Sequence, residues 1–228
     1  MKIALCFAGL PRHYKSGHEY YLNNLLSHND NVDVFFHTWN DTEHEKVAEL
    51  YKPKDYVTSD KLNAEIINNR YTRCADAINF PAYATVSSFF SIYHSCLLKT
   101  NYEIRNGFTY DWVIKTRFDY ALNIPLNFNS INLDSSKVYV PHCRMTAAHD
   151  FCNDQFGFSS SANMNKYMST YLFMDHFYDQ GAIMNAEDML SANLQYHGLI
   201  GSNLMYVDMK NPFPPGPKNA TPHSLIRE

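Results

Sequence analysis

The chain has 228 residues, of which 45% are hydrophobic and 18% are charged, as is typical of a globular domain with a full core. Its net charge of −4 provides no basic surface for nucleic acid, so we exclude that class of partner. The five cysteines form no CxxC pair, the first residues lack a signal-peptide pattern and no apolar run reaches the ~18 residues of a membrane span. We therefore expect reduced thiols, a cytoplasmic protein and at most peripheral membrane contact.

The first part of the chain alternates between segments with the pattern of a β-strand and segments with the pattern of a helix. Strands are predicted at residues 2–10, 32–39 and 54–58, and helices at residues 16–27, 41–52 and 62–69. Ser16 is the predicted N-cap of the first helix, with Glu19 as its capping-box partner. This order predicts an α/β fold of the Rossmann type, with a mixed, mainly parallel sheet flanked by helices.

The second part continues this alternation less regularly. Helices are predicted at residues 84–105, 163–179 and 186–197, and strands at residues 110–116, 138–140, 155–158 and 206–208. Residues 1–210 are therefore expected to form a single domain. A Pro-rich tail or linker, residues 211–228, follows it, and residues 211–222 within it cannot be helix or central strand.

The most informative segment is the apolar strand at residues 110–116, which runs directly into Arg117-Phe118-Asp119. Ligands of open α/β sheets bind at the carboxyl ends of the strands. A carboxylate two residues from a cation suits a diphosphate there, held either through a divalent metal on Asp119 or by direct ion pairing with Arg117. The residues leave both options open.

Two other predicted strands end in residues that suit the same cleft. After the first strand, Ala8 and Gly9 would let a ligand approach the backbone, and Arg12 could reach a phosphate. A plain tight turn is the alternative, since neither GxxxxGK[ST] nor GxGxxG occurs. His37 and Trp39 end the second strand and could line a base or sugar pocket; a buried histidine with a satisfied hydrogen bond is the alternative, which the pattern taken alone favours.

Acidic residues further along the chain are candidates for general acid–base chemistry. Asp154 precedes a predicted strand and could bond to sugar hydroxyls. Glu187 and Asp188 open a predicted helix, where acids normally interact with the macrodipole, but either could deprotonate an acceptor hydroxyl. Further candidate ligands, each with a structural alternative, are His149, Asp150 and His223.

Taken in order, several segments resemble a known family. The segments are KIALCFAGLPR, DVFFHTWN, YDWVIKTRFDY, NDQFGFSSSANMNKY and AEDML. Over residues 1–208 they resemble the small GT-A-type glycosyltransferases of bacterial capsule and lipopolysaccharide gene clusters, and they are similar to glycosyltransferase domains of large algal viruses. The resemblance implies a GT-A-like fold and transfer of a sugar, with a hexose as the expected one, from a nucleotide-sugar donor such as a UDP-sugar to a glycan or glycolipid acceptor. It also implies a bacterial or virus-infected host cell as the setting.

The resemblance assigns roles to the candidate residues. The residues that would contact the nucleotide are Ala8, Gly9, Arg12, His37, Trp39 and Arg117. Asp119 would bind the metal ion. The catalytic residues of an inverting mechanism would be Asp154, Glu187 and Asp188. Residues 1–120 would form the nucleotide-binding half, and residues 121–210 the acceptor and catalytic half. Arg117 stands where such enzymes carry the first aspartate of Asp-x-Asp, so dependence on Mn²⁺ or Mg²⁺ is an open expectation.

Two competing functions remain at this point. A sugar nucleotidyltransferase uses similar diphosphate chemistry, but AGLPRHYK is a poor version of its glycine-rich basic signature. A catalytically silent glycan-binding module would use the 17 tyrosines as stacking surfaces for carbohydrate. Nucleotide binding separates the enzymes from the silent module.

Overall fold

The computed structural model describes residues 1–40, 42–74, 81–141, 152–207 and 224–225. The strands in these ranges are β1 (Ile3–Ala8), β2 (Val32–Trp39), β3 (Asp55–Ser59), β4 (Trp112–Thr116), β5 (Tyr120–Ala121), β6 (Val138–Pro141), β7 (Gly157–Ser159), β8 (Leu204–Val207) and β9 (Ser224–Leu225). The helices are α1 (Tyr14–Asn24), α2 (His44–Tyr51), α3 (Ala64–Arg70), α4 (Ala82–Asn106), α5 (Ser161–Met168), α6 (Thr170–Asp179) and α7 (Ala186–Tyr196).

The main sheet has seven strands in the order β3-β2-β1-β4-β7-β6-β8. Strands β1 to β4 are parallel, β7 is antiparallel to both of its neighbours, and β8 pairs parallel with β6. The predicted α/β fold with a mixed, mainly parallel sheet is confirmed. The chain moves outward from β1 to β3 and then returns to β4 on the other side of β1. This reversal of strand order opens a crevice at the carboxyl ends of β1 and β4.

Side chains alternate along β1 between two cores, one on each face of the sheet. Ile3, Leu5 and Phe7 belong to the core that also contains residues of α1 and α2. The small residues Ala4, Cys6 and Ala8 face the other core, to which α4 to α7 contribute. Because these side chains are small, the long helix α4 can lie close to β1 and β2.

The predicted capping box of the first helix is wrong. α1 begins at Tyr14, after His13 in a left-handed conformation, and its N-cap makes no side-chain hydrogen bond. Tertiary packing decides this start, because the Tyr51 hydroxyl donates to the Tyr14 carbonyl at 2.7 Å. Gly17 then lies against the carbonyl of Phe118, where a Cβ atom would overlap the oxygen. The close approach brings α1 onto the segment that follows β4.

The predicted helix at residues 163–179 is instead two helices, α5 and α6, with a break at Ser169. The Ser169 hydroxyl bonds to the Lys166 carbonyl at 2.7 Å. The Asn193 side chain of α7 donates to the same carbonyl at 2.8 Å. Since these side chains satisfy a carbonyl of the last turn, α5 can end there without leaving that group unpaired.

The end of the chain is described only in part. The Pro-rich residues 211–222 and the last residue of the predicted strand 206–208 lie outside the described residues. Two later residues form β9, which pairs antiparallel with β5 directly after Asp119. Among the helices that the structure describes, none combines the length and the apolarity needed to cross a bilayer.

Candidate active site

A cavity of about 650 Å³ lies at the carboxyl ends of β1, β2 and β4, beside the reversal of strand order. Five residues singled out in the sequence line it, namely Ala8, Gly9, Arg12, Trp39 and Arg117. The parallel register explains this convergence, because Ala8 pairs with His37 on β2 and Phe7 with Thr116 on β4. Its volume lies in the range of small-molecule sites in proteins.

The lining of the cavity is cationic. Arg12, Lys61 and Arg117 belong to it, whereas no Asp or Glu is among its described lining residues. Arg12 is exposed and has no ion-pair partner within the described part of the chain. This arrangement favours a ligand with more than one negative charge, because three cationic side chains belong to one lining.

The first turns of α4 form another wall of the cavity. Tyr83, Ala84, Ser87 and Ser88 all line it, so the positive end of the helix dipole lies at this wall. The Ser87 hydroxyl is buried and has no hydrogen-bond partner among the described residues. A buried hydroxyl without a described partner, in the lining of a cavity, is free to donate to a bound oxyanion.

Arg117 and Asp119 form a two-bonded ion pair. Arg117 Nε and Nη2 donate to Asp119 Oδ1 and Oδ2, each at 2.7 Å. Burial acts to lower the pKa of Arg117, but the hydrogen bonds and charge of Asp119, together with the charge of Asp154, outweigh it and raise the pKa. The guanidinium is therefore a permanent cation whose orientation is set by Asp119.

The predicted metal site does not fit the described residues. Both carboxylate oxygens of Asp119 already accept hydrogen bonds from Arg117. No group of three His, Cys, Asp or Glu side chains within the described ranges is arranged to hold a metal ion. The further candidates His149, Asp150 and His223 lie outside those ranges. We therefore assign the positive charge at this position to Arg117.

Behind Arg117 lies a group of interacting charges, which we call the cleft cluster: Lys115, Arg117, Asp119, Asp154 and Glu187. Lys115 is 1% exposed, and its ammonium group donates to the backbone carbonyl of Asp154. Burial lowers the pKa of Lys115 to about 8, and Arg117 contributes in the same direction against the opposing carboxylates. The cluster thus joins the end of β4 to the segment before β7.

The two adjacent acids at the start of α7 have different environments. Asp188 participates in the helix cap, since its N–H donates to Asn185 Oδ1 at 2.7 Å and its Oδ2 accepts from Asn185 Nδ2 at 2.5 Å. Glu187 is half-buried, and its pKa is raised by burial and by the negative charges of Asp154 and Asp188. Both acids lie in the first turn of α7, but only Asp188 has both its N–H and its carboxylate bonded to the N-cap residue Asn185.

His37 and Trp39 take separate positions although they are two residues apart on β2. His37 is completely buried, is not among the described lining residues, and contacts Ser91 Oγ at 2.8 Å and Ser59 Oγ at 3.0 Å. Burial and the neighbouring His94 lower its pKa to about 3. Trp39 lines the cavity and stacks on Phe90 at 5.7 Å. Only Trp39 can therefore contact a ligand here, whereas His37 lies behind the wall.

Sequence reasoning missed Lys61, Ser87 and Lys115. The first two lie in segments without a motif, and only the fold brings them to the cavity. Lys115 had a detectable signal, because it is a charged residue within an otherwise apolar interior strand. A lysine at such a position needs buried partners, which the cleft cluster supplies.

Comparisons with known proteins give a family and a set of distant structures. The profile of the family described as "Domain of unknown function (DUF7796)" matches residues 1–215. No curated protein matches the chain in sequence. The chain is similar in structure to the glycosyltransferase GlyE of Streptococcus pneumoniae TIGR4, at 10% identity and TM-score 0.47, over 90% of this chain and 45% of that one.

Two further solved structures are similar to the same extent. Mouse xyloside xylosyltransferase 1, in its apo form, is 9% identical with TM-score 0.46, over 91% of this chain and 85% of that one. An active-site mutant of LgtC is 12% identical with TM-score 0.48, over 91% of this chain and 73% of that one. The chain thus spans less than half of the GlyE structure and most of the other two.

Proposed function

The chain belongs to the family described as a domain of unknown function (DUF7796), and we propose that it is a glycosyltransferase. In this proposal it moves a sugar, a hexose in our first choice, from a nucleotide-diphosphate donor to a hydroxyl group of a glycan or glycolipid. The observation that carries the proposal is the convergence of Arg12, Lys61 and Arg117 on one cavity at the switch point of the sheet. A diphosphate is the ligand that this charge and this place in an α/β sheet favour.

The cavity also has a wall for the rest of a nucleotide. Trp39 and Tyr83 contribute aromatic surface, and Ala8 and Gly9 leave space at the end of β1. Aromatic faces stack on bases and sugars, and small residues allow a ligand to approach the backbone. UDP is the first nucleotide to test, because the resemblance of the sequence segments implies a donor such as a UDP-sugar.

The transfer step that we propose inverts the configuration of the sugar. The acceptor hydroxyl oxygen forms a bond to the anomeric carbon, the bond from that carbon to the diphosphate oxygen breaks, and the electron pair leaves with the diphosphate. Arg117, oriented by Asp119, and Arg12 stabilise the negative charge that grows on this leaving group. No step needs a metal ion; the predicted Mn²⁺ or Mg²⁺ stays a prediction.

Glu187 is the proposed base, and it takes the proton of the acceptor hydroxyl. Its raised pKa makes it a better proton acceptor than an ordinary carboxylate. Asp154 belongs to the same cluster and is proposed to contact the sugar. In this proposal residues 1–120, which contain the described cavity lining, bind the nucleotide, and residues 121–210 supply both acids.

Titration calorimetry with UDP-, GDP- and dTDP-sugars tests the proposal. We expect one donor to bind to the wild-type protein and the affinity to be lost in Arg117→Ala. The matched control is Arg105→Ala. Arg105 forms an exposed ion pair with Asp55, with 2.9 Å between Nη2 and Oδ2, and it is not part of the cavity lining. Binding of glycans without any nucleotide would instead indicate a silent module. Release of pyrophosphate from a nucleoside triphosphate and a sugar phosphate would indicate a nucleotidyltransferase.

A further inference from the structure

A chain of hydrogen bonds, which we call the relay, runs behind the cavity wall through Gly9, Ser91, His37 and Ser59. The Gly9 N–H donates to Ser91 Oγ at 2.6 Å. His37 Nδ1 lies 2.8 Å from the same oxygen, and His37 Nε2 lies 3.0 Å from Ser59 Oγ. The relay therefore connects the ends of β1, β2 and β3 to one side chain of α4.

The relay satisfies all of its buried polar atoms with a neutral imidazole. Ser91 Oγ accepts from Gly9 and donates to the His37 carbonyl at 3.1 Å, so it can also accept from Nδ1–H. Ser59 then donates to Nε2. Ser91 and His37 are both completely buried, and each is held in one orientation by bonds on opposite sides.

The loop that follows β1 is bonded to this relay. Gly9 has a φ of 96°, and Leu10 is exposed. Within the described residues, the bond from Gly9 to Ser91 is the one hydrogen bond that residues 9–12 make to a side chain elsewhere in the fold. Arg12 extends from this loop into the cavity lining. Its position relative to Arg117 is thus coupled to Ser91.

We propose that Ser91 is a positioning residue for the nucleotide. Through the relay it holds the loop of Gly9, and with it Arg12, in the place that the diphosphate requires. The inference rests on the proposed function, because it names how that same cavity is kept in shape. Ser91 itself does not line the cavity, whereas Ser87 and Ser88 one turn earlier on α4 do.

Ser91→Ala and Ser95→Ala make a matched pair of variants for the test. Ser95 lies one turn later on α4 and is also completely buried, but its hydroxyl bonds only locally, to the Ile92 carbonyl at 2.8 Å. We expect Ser91→Ala to raise the Kd for UDP about tenfold. Ser95→Ala should leave the Kd within about twofold, even where both variants lower Tm equally.

A second measurement tests whether Ser91 acts through the loop. If it does, Ser91→Ala should weaken UDP binding less in an Arg12→Ala background than in the wild-type protein, because the guanidinium to be positioned is already gone. Should Ser91→Ala fold poorly, Ser59→Ala breaks the relay at its half-exposed end and is expected to raise the Kd about threefold.

The outcomes separate the two proposals. If the wild-type protein binds UDP, and Ser91→Ala and Ser95→Ala bind it with the same affinity as each other, the role of Ser91 is overturned and the proposed function stays intact. Full additivity of the Arg12 and Ser91 effects would also overturn it. Failure of the wild-type protein to bind any of the nucleotides would overturn the proposed function and this inference together.

Discussion

Two groups of charges in this protein each contain a buried lysine and at least one carboxylate, but their surroundings differ. In the first, which we call the closed cluster, Lys99 Nζ donates to Glu103 at 2.9 Å, to Ser161 at 2.6 Å and to Asn165 at 2.6 Å. Glu103 also accepts from the Tyr110 N–H at 2.8 Å. The cleft cluster instead ends in Arg117, which lines the cavity.

The comparison shows that buried charge alone is a poor sign of function. The closed cluster connects α4 to α5 and to the segment before β4, and every donor of its lysine has an acceptor. The cleft cluster has three carboxylates and two cations, and one of those cations borders space for a ligand. We therefore expect changes in the closed cluster to reduce stability and changes in the cleft cluster to reduce activity.

The largest effect is expected for Arg117→Ala. Loss of the cation that stabilises the leaving diphosphate should lower kcat/KM for sugar transfer by about 10³-fold. Asp119→Ala should cost a similar factor, and the double variant little more, because the two residues act as a unit. Steady-state kinetics with the best donor measures these values, and circular dichroism confirms folding. Near-wild-type turnover in either single variant would contradict the proposed role of the pair.

Lys99→Met tests the other half of the comparison. It leaves Glu103 buried without its cation, which should lower the free energy of unfolding by about 3 kcal/mol. Urea titration followed by fluorescence measures this change. The kcat of the remaining folded protein should equal that of the wild type, since the closed cluster does not border the cavity. A large loss of kcat without loss of stability would mean that both clusters serve the reaction.

Glu187→Gln should lower kcat by about 10²-fold through loss of the base, whereas Asp188→Asn should have less than about a tenth of that effect. In the wild-type protein kcat should fall as the pH falls through the pKa of Glu187, which burial raises above its ordinary value of 4.5. The same shift opposes folding: the cost is absent below 4.5 and complete above the raised pKa. Glu187→Gln should therefore not lower stability at neutral pH. Equal kcat losses in both variants would contradict this assignment.

The smallest expected effect concerns metal ions. Because Arg117 occupies both oxygens of Asp119, chelation by EDTA should change the Kd for UDP by less than about twofold. Calorimetry in EDTA and in Mn²⁺ makes the comparison directly. A gain of affinity of tenfold or more in Mn²⁺ would show that the metal prediction was correct and that its ligands lie partly outside the described residues.

Much of the architecture follows from local patterns. β2 has the predicted bounds, Val32–Trp39, and the other long strands and helices occur near their predicted positions. Apolar alternation and strand-ending residues depend on short-range sterics and burial, which neighbouring residues largely determine. The start of α1 and the break between α5 and α6 were missed, because side chains from distant elements decide them.

The sequence by itself determined the positions of most helices and long strands, and that small and charged residues follow β1 and β4. The tertiary structure alone decided that Arg117 pairs with both oxygens of Asp119, that His37 is buried whereas Trp39 lines the cavity, and that Asp188 bonds to the N-cap residue Asn185. The physical reason is that a strand or helix is specified by contacts between near neighbours. A site is specified by strand order and by burial, which join residues far apart in the chain and fix the partner, the charge state and the exposure of each side chain.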